Sequence, residues 1–160
     1  MEEYEFQPSE APLHGHARPT HRILVVDDEP IIRRLIAAAL LGSGYHVDAA
    51  EDGAAAWKAL QAKAYDLLIT DHMMPNLTGV ELVQNLRSAR MALPVVMVAG
   101  TMPTHQLPPL QLAATLLKPF VVAELLETVE DVLHPTYIPL QRIHPRPHWR
   151  NQPAASGLWL

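Results

Sequence analysis

Acidic side chains and one lysine follow the short apolar runs of this sequence, and their types suit metal-assisted chemistry. They are Asp27, Asp28 and Glu29 after the run 22–26, Asp71 after the run 66–70, and Lys118 after the run 115–117. Carboxylates gathered in one place repel one another unless a cation lies among them, and such oxygen ligands favour Mg²⁺. A lysine supplies a point charge for a phosphoryl oxygen. A simpler interpretation of Asp27 and Asp28 is that they cap the helix that follows them.

The spacing of apolar residues predicts the elements that position these side chains. Strands are predicted at residues 22–26, 46–50, 66–70, 94–98 and 115–117, and helices at about 30–42, 53–62, 80–90 and 121–133. Strands this apolar, alternating with helices, indicate a parallel sheet covered on both faces and a doubly wound α/β fold. The crevice of such a fold lies beyond the carboxyl ends of its strands. The charged residues are therefore predicted to meet there.

The first and last predicted helices each have an apolar stripe that is expected to face the sheet. In the first helix the stripe consists of Ile31, Ile32, Leu35, Ile36, Ala39 and Leu40. In the last helix it consists of Val122, Leu125, Leu126, Val129 and Leu133.

The composition argues against several classes of protein. A net charge of −5 over 160 residues does not suit a chain-wide nucleic-acid or anionic-membrane surface. The chain has no cysteine, which excludes disulfide scaffolds, zinc fingers and thiol nucleophiles. No apolar run approaches the roughly 18 residues that a membrane span needs, and the acidic N-terminus is unlike a secretory signal. We expect a cytoplasmic protein with no membrane contact.

The prolines divide the chain into a central domain, residues 22–133, and two arms. Residues 1–21 lack apolar periodicity and are predicted to form a flexible arm. Its histidines, His14, His16 and His21, could bind a metal, although their irregular spacing favours a solvated tail. Residues 134–160 contain five prolines, three arginines and two tryptophans but no acid. They form either a solvated tail or a segment that contacts a downstream protein partner or the domain's own surface.

Four motifs in order resemble the receiver domain of bacterial two-component response regulators. They are Ile23-Leu-Val-Val-Asp-Asp-Glu-Pro30, Glu51-Asp-Gly53, Asp71-His-Met-Met-Pro-Asn-Leu-Thr-Gly79 and Lys118-Pro-Phe120. The resemblance covers residues 22–133 and points to a single-domain member similar to the chemotaxis regulators. It implies a flavodoxin-like fold, with a five-stranded parallel sheet in the order 2-1-3-4-5 and helices on both faces.

The resemblance also implies roles for individual residues. Asp71 would accept a phosphoryl group from a histidine kinase or a histidine phosphotransfer protein. Mg²⁺ would be held by Asp28 directly, by Asp27 through water, by Asp71 and by the backbone carbonyl of Met73, while Lys118 would contact the phosphoryl oxygens. Such a protein is a phosphoacceptor with self-catalysed phosphotransfer and dephosphorylation only, not an enzyme with a separate substrate.

The sequence departs from the family where receivers couple phosphorylation to a change of shape. The strand-four position that usually carries Thr or Ser is Ala99, and Thr101 could replace the hydroxyl only if the strand end were bulged. The strand-five position that usually carries an aromatic residue is Thr115. Receivers usually have a helix between their fourth and fifth strands, which is helix four of the family. Pro103, Pro108 and Pro109 predict that this helix is short, displaced or replaced by a loop here.

Three functions remain open at this point. The first is a stand-alone phosphoacceptor that acts through protein contacts, since the 27 residues after Leu133 are too few and too rich in proline to form a DNA-binding domain. The second is a pseudo-receiver, a binding module that does not use a phosphorylation switch. The third, an aspartyl phosphatase, needs a second acid two residues beyond Asp71, where Met73 stands.

Overall fold

A computed structural model describes residues 21–101 and 110–135 of the chain. Within these ranges the strands are β1 (Arg22–Val26), β2 (His46–Ala50), β3 (Leu67–Asp71), β4 (Val95–Ala99) and β5 (Ala114–Leu117). The helices are α1 (Pro30–Gly42), α2 (Gly53–Ala62), α3 (Gly79–Ser88) and α4 (Val122–Leu133).

The strands form one parallel sheet in the order β2-β1-β3-β4-β5. This order confirms the predicted doubly wound, flavodoxin-like α/β fold. The register pairs Val26 with Thr70, Asp71 with Val98, and Ala99 with Leu117. The carboxyl ends of β1, β3, β4 and β5 are thereby aligned along one edge of the sheet. The acids and the lysine were expected at this edge.

β3 and β4 each begin and end one residue later than predicted. Asp71 and Ala99 are consequently the last residues of their strands. The apolar run of β3 stops at Thr70, but its hydrogen bonding continues, because the backbone N–H of His72 still donates to the carbonyl of Val98 at 2.8 Å. Hydropathy locates the buried part of a strand, whereas the hydrogen-bond ladder decides where the strand ends.

Each face of the sheet carries its own hydrophobic core. On one face β1, β3 and β4 pack against α2 and α3, through residues such as Leu24, Leu60 and Leu86. On the other face the same strands pack against α1 and α4, through residues such as Ile36 and Leu125. The helices are capped locally: Asp52 accepts from the N–H of Ala55 at 2.7 Å, and Thr78 forms a capping box with Glu81 at the start of α3.

The predicted apolar stripes of α1 and α4 are wider than the faces that the sheet covers. Ile36 and Leu40 are buried, but Ile31 is 79% exposed and Leu35 is 44% exposed. Successive helical residues are rotated by about 100°, so Ile31 lies about 180° around the helix from Leu40. Val122, also predicted to face inward, is 38% exposed. The prediction that Ile31, Leu35 and Val122 face the sheet was wrong, because an apolar side chain was taken to be a buried one.

Some predictions concern residues outside the described ranges. One is the shape of the connection between β4 and β5, whose residues 102–109 include the place of helix four of the family. The other is the structure of nearly all of the two arms. No helix of the described residues is long and apolar enough to cross a membrane.

The assignment of the α1 faces can be tested with a matched pair of substitutions. Ile36→Ala should lower the free energy of unfolding by about 2–5 kcal/mol, because it removes a fully buried side chain. Ile31→Ala should change it by less than about 0.5 kcal/mol, because that side chain is already in water. Urea unfolding followed by circular dichroism measures both values, and equal losses would contradict the observed rotation of α1.

Candidate functional site

Asp27 is held in place by the tight turn that joins β1 to α1. Its side chain is 1% exposed, and its Oδ1 accepts from the backbone N–H of Glu29 at 2.8 Å. Pro30 then occupies the first turn of α1, where its missing N–H costs nothing. Arg33, one turn along α1, donates from Nη1 to the backbone carbonyl of Asp27. The carboxylate is therefore fixed by the backbone that surrounds it.

Asp71 is fixed from the other side of the crevice. It is the last residue of β3 and is 6% exposed. Its Oδ2 accepts from the backbone N–H of Met73 at 2.8 Å, and its backbone carbonyl accepts from the hydroxyl of Thr70 at 3.1 Å. One carboxylate oxygen is thus anchored to the loop, while Oδ1 points away from that bond toward the crevice.

Gly79 allows α3 to begin directly against Asp71. Its N–H donates to the carbonyl of His72 at 3.1 Å. A Cβ atom at this position would lie 2.0 Å from the carbonyl oxygen of Asp71, which no side chain can occupy. Glycine is required here because of this close approach. The sequence offered a signal, a glycine at the predicted start of a helix, but the positioning roles of Gly79 and Arg33 were not predicted.

Lys118 joins the two buried acids. Its Nζ lies 2.7 Å from Oδ1 of Asp71 and 3.1 Å from Oδ2 of Asp27, with Glu29 farther away at 3.7 Å. The backbone of Lys118 is fixed as well, because its N–H donates to the carbonyl of Ala99 at 2.8 Å. Three residues that are distant in sequence therefore meet at one ammonium group, as expected from their places after β1, β3 and β5.

Burial sets the protonation balance of this cluster. Burial raises the pKa of Asp27, and the hydrogen bonds from the N–H of Glu29 and from Lys118 do not fully reverse this effect. Burial alone would lower the pKa of Lys118, but hydrogen bonds to Asp71 and Asp27 raise it above its usual value. An ion pair by itself would lower the pKa of Asp27, so the cost of desolvating its charge outweighs the attraction of the lysine.

Two of the predicted site residues are not part of this contact. Asp28 is exposed, and within the described residues its carboxylate makes no hydrogen bond or ion pair. The side chain of Met73 is 67% exposed, while its backbone anchors Asp71. Asp28 thus follows Asp27 at the rim of the crevice, and its carboxylate has no partner in the part of the chain that the structure describes.

The donor set fits a hard divalent cation. When ionised, Asp27, Asp28 and Asp71 carry three negative charges, against Lys118 between the carboxylates and Arg33 at the backbone carbonyl of Asp27, so negative charge is in excess before Glu29 is counted. All of these donors are oxygens, the type that Mg²⁺ prefers. In the ranges that the structure describes, no three acidic or histidine side chains form a closed metal cluster. An ion at this site would keep several water ligands, as Mg²⁺ usually does.

Ala99, Thr101 and Thr115 stand at or near the positions where receivers usually couple phosphorylation to a conformational change. Ala99 is buried at the end of β4, and its methyl group cannot donate a hydrogen bond. β4 pairs with β3 up to Val98 and with β5 up to Ala99, and the exposed Thr101 lies two residues beyond the end of the strand. Thr115 is partly buried in β5, paired with Met97.

Comparison with known proteins identifies the family. The sequence model described as the response regulator receiver domain matches residues 23–130, more than half of the chain. The chain belongs to the response regulator receiver family. Among curated relatives of this receiver, the response regulator receiver protein CpdR of Brucella abortus (strain 2308) is 32% identical over 115 residues, covering 70% of this chain and 96% of CpdR.

Other relatives are longer than the region they share with this receiver. The transcriptional regulatory protein CusR of Escherichia coli (strain K12) is 34% identical over 116 residues, covering 70% of this chain but 51% of CusR. The sensor histidine kinase RcsC of Salmonella typhimurium is 46% identical over 78 residues, covering 49% of this chain but 8% of RcsC. The likeness to these two proteins therefore concerns the receiver region alone.

Solved structures agree with this assignment. The chemotaxis response regulator CheY4 of Vibrio cholerae superposes on the receiver with a TM-score of 0.68 at 31% identity, covering 72% of this chain and all of CheY4. The response regulator TrrA of Thermotoga maritima, solved in complex with Mg²⁺ and BeF, gives a TM-score of 0.66 at 34% identity, covering 71% of this chain and 99% of TrrA.

Asp48 offers a contrast to Asp27 outside the crevice. Its Oδ2 accepts from the hydroxyl of Tyr65 at 2.8 Å, from Lys63 at 3.0 Å and from Arg22 at 3.2 Å. The Tyr65 hydrogen bond, aided by Lys63 and Arg22, lowers the pKa of Asp48. Burial and the same carboxylate raise the pKa of Tyr65 to about 12.

The opposite pKa shifts predict opposite effects on stability. With divalent cations chelated, Asp27→Asn should raise the free energy of unfolding at pH 7, because a raised folded-state pKa means that the charged form is disfavoured by folding. This gain should fade as the pH falls and the wild-type carboxyl becomes protonated. Asp48→Asn should lower the free energy of unfolding at pH 7 by on the order of 1 kcal/mol, a loss that shrinks through the acid range. Urea unfolding between pH 3 and 7 measures both, and equal signs at pH 7 would contradict the assignment.

Proposed function

We propose that this receiver accepts a phosphoryl group on Asp71 in a Mg²⁺-dependent reaction and acts through protein contacts. The observation that carries the proposal is the position of Lys118, whose Nζ lies 2.7 Å from Oδ1 of Asp71 while it also pairs with Asp27. A carboxylate held next to both a lysine and a set of acidic oxygens suits the transfer of an anionic group, which depends on positioning and on charge neutralisation.

The donor is a phosphorylated histidine of a kinase or phosphotransfer protein. A carboxylate oxygen of Asp71 forms a bond to phosphorus, the phosphorus–nitrogen bond of the donor breaks, and its electron pair returns to the imidazole, which takes up a proton. The Met73 N–H holds the other carboxylate oxygen throughout. The ammonium of Lys118 passes from the carboxylate to an oxygen of the transferred group.

The residues that would hold the metal lie beside this path. Asp28 is exposed and would be the direct carboxylate ligand, while the buried Asp27 would act through water. Asp71 and the backbone carbonyl of Met73 would complete the protein ligands. When bound, Mg²⁺ offsets the charge that spreads over the phosphoryl oxygens during transfer.

Exposed apolar side chains near the crevice support the docking of a protein donor. Ile31 and Leu35 lie in the first half of α1, which starts three residues after Asp27. Val121, three residues after Lys118, is 66% exposed. Apolar groups left in water around a charged site are typical of surfaces that bind another protein. A small-molecule phosphodonor has no need of them.

A second candidate function is a pseudo-receiver that binds partners whether or not it is phosphorylated. The observation that favours it is the buried methyl group of Ala99, where a hydroxyl would be needed to contact the phosphoryl group. Thr115 stands where receivers usually carry an aromatic ring that rotates inward behind this hydroxyl when it moves to the phosphoryl group. Phosphorylation and switching are separable, because the accepting cluster of Asp71, Lys118 and Asp27 is complete without Ala99 or Thr115.

Phosphorylation of Asp71 can be measured directly. Incubation with acetyl phosphate or phosphoramidate and Mg²⁺ should add one phosphoryl group to the intact mass, and Asp71→Asn should abolish the addition. His72→Gln, a change next to the acceptor, should leave it intact and is the matched control. Mg²⁺ titration should shift the backbone NMR signals of Asp27, Asp28 and Met73. A phosphorylated Asp71→Asn protein, or no metal-dependent shift at these residues, would overturn the assignment.

Coupling to the rest of the domain should be weak. Beryllofluoride, a phosphoryl mimic, should bind near Asp71 but leave the NMR signals of α4 almost unchanged, because a ligand shifts an equilibrium only through contacts that differ between the two states. The double substitution Ala99→Thr and Thr115→Tyr should enlarge the response of α4. Large shifts across α4 in the unmodified protein would show that another group transmits the signal.

The C-terminal arm is proposed to contact a downstream protein partner. Its arginines and tryptophans are the residue types that anchor interfaces. A chain truncated after Leu133 should accept phosphate on Asp71 as the full chain does, but it should lose affinity for that partner or lose self-association. Sedimentation and pull-down with the two forms test this expectation. Identical interactions, together with fully water-exposed tryptophan fluorescence in the full chain, would favour a solvated tail.

A further inference from the structure

Two turns of the chain touch at the edge of the sheet that carries the acidic crevice. One joins β2 to α2 and leads into Gly53, the buried first residue of α2. The other joins β3 to α3 and includes Leu77. A Cβ atom added to Gly53 would lie 2.6 Å from the carbonyl oxygen of Leu77 and 2.8 Å from its Cβ. No side chain fits at such distances, so the two turns can meet in this way only through glycine.

The turn before α2 is held firmly. Asp52 caps the helix by accepting from the N–H of Ala55 at 2.7 Å. Ala56 and Leu60, on the inner face of the same helix, are buried in the core. A side chain at position 53 would therefore push Leu77 away rather than move α2.

The turn that contains Leu77 also fixes the acceptor carboxylate. Met73, four residues before Leu77, donates its backbone N–H to Oδ2 of Asp71 at 2.8 Å. The carbonyl of Met73 is the proposed backbone ligand of the metal. The N–H of Leu77 donates to the carbonyl of Pro75 at 2.8 Å, which joins the two halves of the turn. A displacement of Leu77 is therefore passed toward Met73, because closely packed groups transmit strain.

Both ends of this turn are anchored. The N–H of His72 donates to the carbonyl of Val98 at 2.8 Å, which ties the chain to β4 directly before Met73. Thr78 forms the capping box that starts α3 directly after Leu77. A movement of Leu77 must consequently be absorbed by the few residues in between, and Met73 is one of them.

We propose that Gly53 is a positioning residue for the phosphoryl-accepting site, because its contact with Leu77 sets where the backbone of Met73 stands beside Asp71. Gly53 has no side chain to offer an ion or a phosphoryl group, so its effect passes through Leu77. Helix propensity does not explain a glycine at this position, since alanine is the better helix former. The inference rests on the proposed function and extends the site to a turn that supplies no ligand.

The substitution Gly53→Ala in the full chain tests the proposal, with Gly42→Ala as the matched control. Gly42 ends α1, and a Cβ atom there would meet nothing within 4 Å. In the metal-free proteins, Gly53→Ala should shift the backbone NMR signals of Met73 and Asp71, whereas Gly42→Ala should not. Gly53→Ala should also weaken Mg²⁺ binding about tenfold, because Mg²⁺ tolerates little distortion of its ligand geometry. Phosphorylation by acetyl phosphate at equal Mg²⁺ should slow accordingly.

A purely structural role of Gly53 would lower the stability of the domain without these effects. Circular dichroism at the temperature of the titration establishes that the variant is folded. A folded Gly53→Ala protein whose Met73 signal is unshifted and whose Mg²⁺ affinity is within twofold of the wild type would overturn this inference alone. A wild-type protein that neither binds Mg²⁺ nor accepts phosphate would overturn the proposed function, and this inference with it.

A second measurement needs only the wild-type chain. Because the contact links the two turns, Mg²⁺ should shift the backbone NMR signals of Gly53 and Leu77 along with that of Met73, and with the same dissociation constant. The signal of Gly42 should stay in place. Unchanged signals of Gly53 and Leu77 at metal saturation would refute the proposal, whether or not the Gly53→Ala protein folds.

Discussion

The central constraint in this molecule is that two carboxylates are buried next to each other at the ends of β1 and β3. Removing charge from water is costly, and like charges at close range add to the cost. Lys118 reduces both costs because its single ammonium group contacts Asp27 and Asp71. The backbone N–H of Lys118 donates to the carbonyl of Ala99 at the end of β4. The counter-charge therefore comes from the residue that follows β5, two strands away from Asp71. The order of the strands thus determines which charges can meet.

This constraint explains the local features around the crevice. In the turn after β1, the backbone N–H of Glu29 must donate to the carboxylate of Asp27. α1 then starts with Pro30, whose backbone nitrogen has no hydrogen and so leaves no donor unsatisfied. The start of α3 must lie against Asp71 to close the loop whose Met73 N–H holds the carboxylate, and only a glycine fits at position 79. The hydrophobic cores on the two faces of the sheet keep these turns in register.

The fold and the meeting of the charged residues were predictable from the sequence, because both follow from hydrophobic periodicity and from where parallel strands end. Other features depend on three-dimensional contacts that no local pattern encodes. The exposure of Ile31 depends on how α1 is rotated against the sheet, and the last residue of β3 depends on a bond from His72 to β4. The rings of His21 and His134 lie 5.1 Å apart although these residues stand at opposite ends of the domain, so no local pattern in the sequence could reveal their contact.

In the proposed reaction, the contacts of Lys118 with Asp27 and Asp71 would link metal binding to phosphoryl binding. If the ammonium moves from Asp71 to a phosphoryl oxygen, its attraction to Asp27 weakens, and Asp27 stays buried with less of its charge compensated. Burial already raises the pKa of Asp27, and loss of the ammonium would raise it further. In the proposed reaction, a divalent cation held near Asp28 would supply the missing counter-charge from the exposed side of the crevice. On this proposal the metal would allow Lys118 to leave its resting position, so metal and phosphoryl group should each strengthen the binding of the other.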